Sequence, residues 1–404
     1  MISTLVRFIS VFIFLIIAGS CKPTQREPNM ESLEKYRSQL TKIRAEFGEY
    51  ELPKATFFLF GMGNREKLLY RDGSLISVHD QKILYRWDVI EEIIIPNDYS
   101  VFLTMHDGKR IAIFENEQGV FLEFDGKKET INEGTHIVLD SFEGHPYSEV
   151  LKVLNHENLI NIDNGLPLPN FFVYRKPWRR DAAMMAMCLE IAGNLDLIKD
   201  WVLELDEIYD FNNRSKAGPE YEVDNLGQTL YLISLFTDAS HPLVPKILEE
   251  AKRWERTHEG KLYLHGRTDF SEMPVYQTKW MKYGLRALGL PDPYDIPNID
   301  CQYSSLFWMD YKDFHKPVEG WRNDSYPYIG WARDHFYGLK QSPITAVDYP
   351  LTWEIGASQA NYEGIRIVND NYTNASCAAP HTWHTSEIFL YLINLNQPDE
   401  QENQ

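Results

Sequence analysis

Trp178-Arg179-Arg180-Asp181-Ala182-Ala183-Met184-Met185-Ala186-Met187 sets an aromatic and three charged residues directly against an uncharged run. Ala and Met are strong helix formers, and nothing from Ala182 to Cys188 offers a polar face. A helix that is apolar all round has to be wrapped by other elements. Its first turn then projects Arg179, Arg180 and Asp181 from the mouth of a packed helical body. Trp178 beside fixed hydrogen-bonding groups suits a sugar, which has an apolar ring face and a rim of hydroxyls. The plainer role for Asp181 is to cap the helix, where an acidic side chain meets the positive end of the dipole.

Four further stretches carry polar clusters of the same kind. Glu220-Tyr221-Glu222-Val223-Asp224-Asn225-Leu226-Gly227-Gln228 crowds three carboxylates and an amide pair at the start of the apolar helix TLYLISLF. Like charges at close range raise the pKa of one member, which is what a general acid needs. A cap at Asp224 accounts for one residue, not for Glu222, Asn225 and Gln228 as well. In Val275-Tyr276-Gln277-Thr278-Lys279-Trp280, residues 276, 279 and 280 share one helical face, either a sugar platform or an ordinary half-buried face. In Asp348 to Tyr362, Trp353-Glu354 enters a small-residue helix, and Glu354, Ser358 and Tyr362 follow at steps of four. Last, His381-Thr382-Trp383-His384-Thr385-Ser386-Glu387 places His381 and His384 as neighbours, with Glu387 beside His384 only. Those three do not converge, so no metal site is expected there, nor any cofactor elsewhere.

Upstream, the chain changes character. Residues 55 to 140 are short apolar or alternating runs bounded by turns such as Arg71-Asp72-Gly73, Pro96-Asn97-Asp98 and Asp125-Gly126. Val101 to Met105 and Arg110 to Phe114, joined through Asp107-Gly108, read as a hairpin. The pattern predicts an antiparallel β-sandwich over 55–145, preceded by a helix over 31–47. Gly61-Met62-Gly63 lacks the strand-to-helix setting of a dinucleotide loop and reads as a turn. From about 147 the period is helical, with candidate helices at 147–155, 180–193, 195–209, 224–237, 242–256, 273–289, 302–312, 353–368 and 382–394. These fill a second domain over 146–396, ahead of a polar tail at 397–404.

The first residues carry an export grammar. Arg7 precedes the apolar run Phe8 to Ala18, and Ala18-Gly19-Ser20 stands before Cys21. This resembles a bacterial lipoprotein processing site, with 1–21 as signal peptide, Cys21 as the lipidated residue and 22–54 as tether and helix. An ordinary secretory signal is the alternative. Cys188, Cys301 and Cys377 remain; a 301–377 disulfide is open. A formal charge of -19 argues against nucleic acid and sets no constraint on a neutral sugar. Oligomeric state is not legible.

The stretches at 178–183, 223–228, 349–354 and 380–387 together resemble the six-hairpin glycosidase superfamily, the α/α toroids that include glucoamylases. The resemblance implies a β-sandwich followed by a toroid of helical hairpins. It also implies Arg180 and Asp181 as sugar binders. A glycoside hydrolase of the cell envelope is then expected, with Glu222 or Asp224 protonating the leaving oxygen and Glu354 activating water. Trp178, Arg180, Asp181, Asn225, Gln228, Tyr276, Trp353, His381, Trp383, His384 and Glu387 would hold the carbohydrate. Carboxyl groups about 6.5–9.5 Å apart would mean inversion and about 5–5.5 Å retention. Two alternatives stand. One is a polysaccharide lyase using Tyr276 or Tyr362 with His381 or His384; the other is a glycan-binding lipoprotein without catalysis.

Overall fold

Two turns of Asp-Gly type organise the β portion of the chain, which was studied as a computed structural model. Asp72-Gly73 and Asp125-Gly126 both take positive φ, at 45° and 68° and at 51° and 71°. That is the conformation two-residue hairpin turns require, and it pairs Arg71 with Ser74 and Phe124 with Lys127. The structure describes residues 26–44, 56–172, 174, 176–210, 221–268, 271–297 and 381–394.

Strands β1 to β4 (Phe57–Phe60, Leu68–Arg71, Ser74–Ser77, Ile83–Arg86) form one antiparallel meander. Strands β5 to β9 (Val89–Ile95, Ser100–Met105, Arg110–Asn116, Gly119–Phe124, Lys127–Glu133) form a second. The expected hairpin across Asp107-Gly108 is present, with Val101 opposite Ile113 and Leu103 opposite Ile111. Alternation divides the five-stranded sheet into two apolar faces. Val101, Leu103, Ile111 and Ile113 join the main core; Phe102, Ala112, Phe114 and Phe121 form a smaller cluster on the other side. Lys128 and Arg26 stack over Phe121 and Phe114, at 3.6 and 4.4 Å from the ring centroids, and screen that outer cluster.

The main core does not stop at the sheets. Leu59, Leu69 and Leu75 belong to the same cluster as Leu151, Leu154, Ala183 and Met184 of the helices. Helix α1 (Met30–Arg44) reaches α2 (Ser148–Ile160) through Gln39, whose Oε1 accepts the Glu149 and Val150 amides at 2.9 and 3.3 Å. Helix α2 has no side-chain cap of its own, so Gln39 satisfies its first-turn donors from outside.

The remaining described helices are α3 (Arg179–Ile191), α4 (Lys199–Leu203), α5 (Asp224–Ser234), α6 (Leu243–Trp254), α7 (Pro274–Ala287) and α8 (Thr382–Asn394). Helices α5 and α7 lie closest, because glycines face each other there. A Cβ on Gly284 would stand 2.5 Å from the Gly227 carbonyl oxygen, and one on Gly227 would meet the Trp280 backbone.

Three sequence expectations need correction. The predicted β-sandwich followed by an α/α toroid is not what forms, and the resemblance to six-hairpin glycosidases is not upheld. The described residues make a mixed arrangement of several antiparallel sheets and eight α-helices. Helix does not follow helix in hairpins: β10–β11 (Ile162–Asp163, Leu166–Pro167) stand between α2 and α3, and β12–β13 (Glu255–His258, Lys261–Leu264) and β14–β15 (Arg267–Thr268, Ser271–Glu272) intervene between α6 and α7. Second, 195–209 is not one helix but a short 3₁₀ turn, Leu195–Ile198, and the five-residue α4. Third, α2 continues past 155 through Asn155-His156-Glu157-Asn158, because these polar side chains are buried against other elements rather than ending the helix. The helices expected at 302–312 and 353–368, Cys21, Cys301 and Cys377 lie outside the described residues.

Candidate functional site

Helices α3, α5, α7 and α8 bring their first turns together. Arg180, the second residue of α3, donates from Nη2 to Glu222 Oε2 at 3.0 Å and from Nε to Asp224 Oδ2 at 3.1 Å. Asp224 opens α5 and also accepts Gln228 Nε2 and Thr268 Oγ1, each at 2.8 Å. Thr268 accepts in turn from Gln277 Nε2 of α7 at 2.9 Å. The Arg180 guanidinium lies 5.5 Å from the Trp383 ring of α8. Every member is buried: Arg180 3%, Glu222 3%, Asp224 0%, Gln228 0%, Gln277 0%. Four helix N-termini present positive dipole ends to this cluster, which suits its carboxylates.

A backbone layer holds the cluster in place. Asp210 Oδ2 accepts the Arg179 amide at 3.0 Å, and Asn225 Oδ1 accepts the Asp210 amide at 2.9 Å. Glu222 forms a parallel bridge with Arg267, so the β14 strand fixes its approach. Neither Asp181 nor Asp224 is a helix cap: Trp178 and Val223 take those positions, without side-chain cap bonds. The carboxylates are therefore turned to other partners.

Asp181 faces α8. Its Oδ1 lies 3.1 Å from His381 Nδ1 and 3.5 Å from Thr382 Oγ1. The Trp383 amide also approaches His381 Nδ1, at 3.4 Å. A ring nitrogen cannot donate and accept in one tautomer; the shorter contact to a carboxylate prevails, placing the proton on Nδ1 toward Asp181. Asp181 is 1% exposed, and its Oδ2 is buried without a hydrogen-bond partner among the described residues. The His381 ring packs with two further half-buried rings, Tyr174 and Trp178. Tyr174 and Trp178 are 4.4 Å apart, Tyr174 and His381 5.7 Å, and Trp178 and His381 6.3 Å.

Deeper in α8, Glu387 is 1% exposed, and burial pushes its carboxyl group well above the usual range; only a hydrogen bond from Trp383 acts the other way. Its Oε2 has no hydrogen-bond partner among the described residues. Thr385 and Ser386 tie the helix to α2 through Glu157 at 3.0 Å and Asn158 at 2.9 Å.

Of the predicted residues, Arg180, Asp181, Glu222, Asp224, Asn225, Gln228, His381 and Trp383 come together, with Trp178 on the rim and Glu387 behind. Tyr276 and Trp280 are interior, 1% and 0% exposed, so the 276–280 face is core rather than platform. Burial also holds the Tyr276 hydroxyl well above its ordinary value. Glu354, Trp353, Ser358 and Tyr362 lie outside the described residues, as does the His384 side chain. Sequence reasoning passed over Asp210, Thr268 and Gln277, which buttress the cluster. Thr268 stood in a polar run, His265 to Glu272, but nothing local marked it as a partner of a residue 44 positions away. No group of three metal-ligating side chains occurs among the described residues. No family model matches the chain, and no curated protein or solved structure matches it.

Proposed function

We propose that the chain acts on carbohydrate, as a glycoside hydrolase whose sugar is held where the first turns of α3, α5, α7 and α8 meet. The observation that carries this reading is Asp181: a buried carboxylate with one oxygen unpartnered among the described residues, paired with His381, whose ring packs with Tyr174 and Trp178. A sugar hydroxyl is a donor for that oxygen, and a ring face packs on the aromatics.

The division of labour among the carboxyl groups follows from their surroundings. Asp224 accepts from Arg180, Gln228 and Thr268, so it anchors Arg180 rather than passing protons. Glu222 shares that guanidinium. Burial raises the Glu387 carboxyl group well above the usual carboxylate range, the direction a general acid needs. A lyase working through Tyr276 is disfavoured, since its buried hydroxyl resists losing a proton.

The test is reducing-end release from a panel of glycans. Wild-type chain should hydrolyse at least one, and Glu387→Gln should lower kcat by roughly 10²–10⁴-fold. Binding without turnover would favour the non-catalytic glycan-binding alternative; neither binding nor turnover would end the carbohydrate reading. We also propose export and lipidation at Cys21, on the signal grammar alone. Acyl labelling should be lost in Cys21→Ser, and labelling that persists would refute it. No helix among the described residues is long and apolar enough to cross a membrane.

A further inference from the structure

A second concavity is lined by residues of the β portion and of the segment that follows α3, and by none of the side chains of the helix-mouth cluster. Its volume is about 720 Å³, within the range of small-ligand sites. Asn64 comes from the turn after β1, Asn164 from the 162–167 hairpin, Asp196 from the 3₁₀ turn that follows α3, and Asp200, Trp201 and Glu204 from α4 and its C-terminal end. Cross-links pin these segments before any ligand arrives. Asn64 Oδ1 accepts the Gly165 amide at 2.6 Å. Asn194 Oδ1 accepts the Val138 amide, and its Nδ2 donates to the Val138 carbonyl, both at 2.8 Å. The Gly63 amide donates to Leu159 at 2.8 Å.

Trp201 gives the cavity an aromatic wall. Arg179 is buried, does not line the cavity, and places its guanidinium 5.4 Å from the Trp201 ring, so it backs that ring from the interior. Side-chain amides and carboxylates surround the aromatic, the mixture that recognises a ring face edged by hydroxyls. Asp196, Asp200 and Glu204 recur at steps of four, and among the described residues none of them is paired with a cation. Uncompensated carboxylates repel polyanions, so uronate, sulfated or phosphorylated glycans are excluded.

We infer that this cavity is a second carbohydrate subsite, specific for uncharged glycan, with Trp201 as platform and Asn64, Asn164 and Asp200 as hydroxyl partners. It extends the carbohydrate reading above but uses none of the same side chains. The two are separated by hydrogen–deuterium exchange on the full chain with neutral hexasaccharides of glucose, mannose, xylose and galactose. Galacturonate hexasaccharide and spermidine serve as comparisons.

Binding of a neutral hexasaccharide should protect 162–166 and 194–204. Trp201→Ala should weaken that affinity at least tenfold. Asp200→Lys, at an exposed position, should weaken it similarly. Protection confined to the neighbourhood of Trp178 and His381 would overturn this subsite and leave the helix-mouth site standing. Protection confined to the cavity would do the reverse. Unchanged affinity in both variants, stronger binding of the galacturonate probe, or binding of spermidine alone would each refute the inference.

Discussion

Arg180 is the residue on which the site turns. Two buried carboxylates share its guanidinium, and removing it takes that cation from both. Breaking a buried ion pair by deleting one partner costs about 3–5 kcal/mol. Arg180→Met should therefore lower the unfolding free energy by about that amount in a denaturant titration. The double change with Glu222→Gln should recover part of the loss. The sequence showed that Arg180, Asp181, Glu222 and Asp224 were unusual, because charges next to apolar helical runs need a reason. It did not show who pairs with whom. Asp181 and Asp224 both look like caps from local sequence, yet each turns to a partner on a distant segment, His381 and Arg180 respectively.

At the scale of elements, the mouths converge because α5 and α7 touch through glycine. Gly227 and Gly284 let the two backbones approach closely enough for Gln277 to reach Thr268, and Thr268 to reach Asp224. Gly227→Ala should cost about 3 kcal/mol by overpacking, since its Cβ would meet backbone that cannot swing aside. Circular dichroism melts should show the fall in Tm. The strands were legible where alternation met Asp-Gly turns. The sequence reading ends α2 at 155, whereas the helix runs to Ile160. The partners of His156, Glu157 and Asn158, namely Leu59, Thr385 and Ser386, come from elements far away in sequence. The toroid expectation failed for a related reason: the helical periods were real, but two β-hairpins between α6 and α7 break the succession of hairpins.

For the whole molecule, the pH dependence of stability follows from ionisable groups that burial shifts. His156 Nε2 donates to the Leu59 carbonyl at 3.0 Å, the ring stacks on Phe58 at 4.8 Å, and burial lowers its pKa to about 3. The carbonyl can only accept, so Nε2 carries the proton. The unfolded chain takes up a proton on this residue below about pH 6.5, and the folded chain does so only near 3. The unfolded state binds more protons in that window, so stability falls as pH drops from about 6.5 toward 3. His156→Gln keeps a donor for Leu59 and should flatten that slope in urea titrations at pH 4 to 7, whatever its effect on stability at pH 7. An unchanged slope would place the acid sensitivity elsewhere.

The central claim is that the four helix mouths seat a sugar, and Asp181 tests it most directly. Calorimetric titration with the neutral glycan panel should find a binder for the wild-type chain. Asp181→Asn keeps the size of the side chain but removes the anionic acceptor, so affinity should fall at least tenfold while Tm moves by only a few degrees. Equal affinity in the two proteins, at equal stability, would contradict the account.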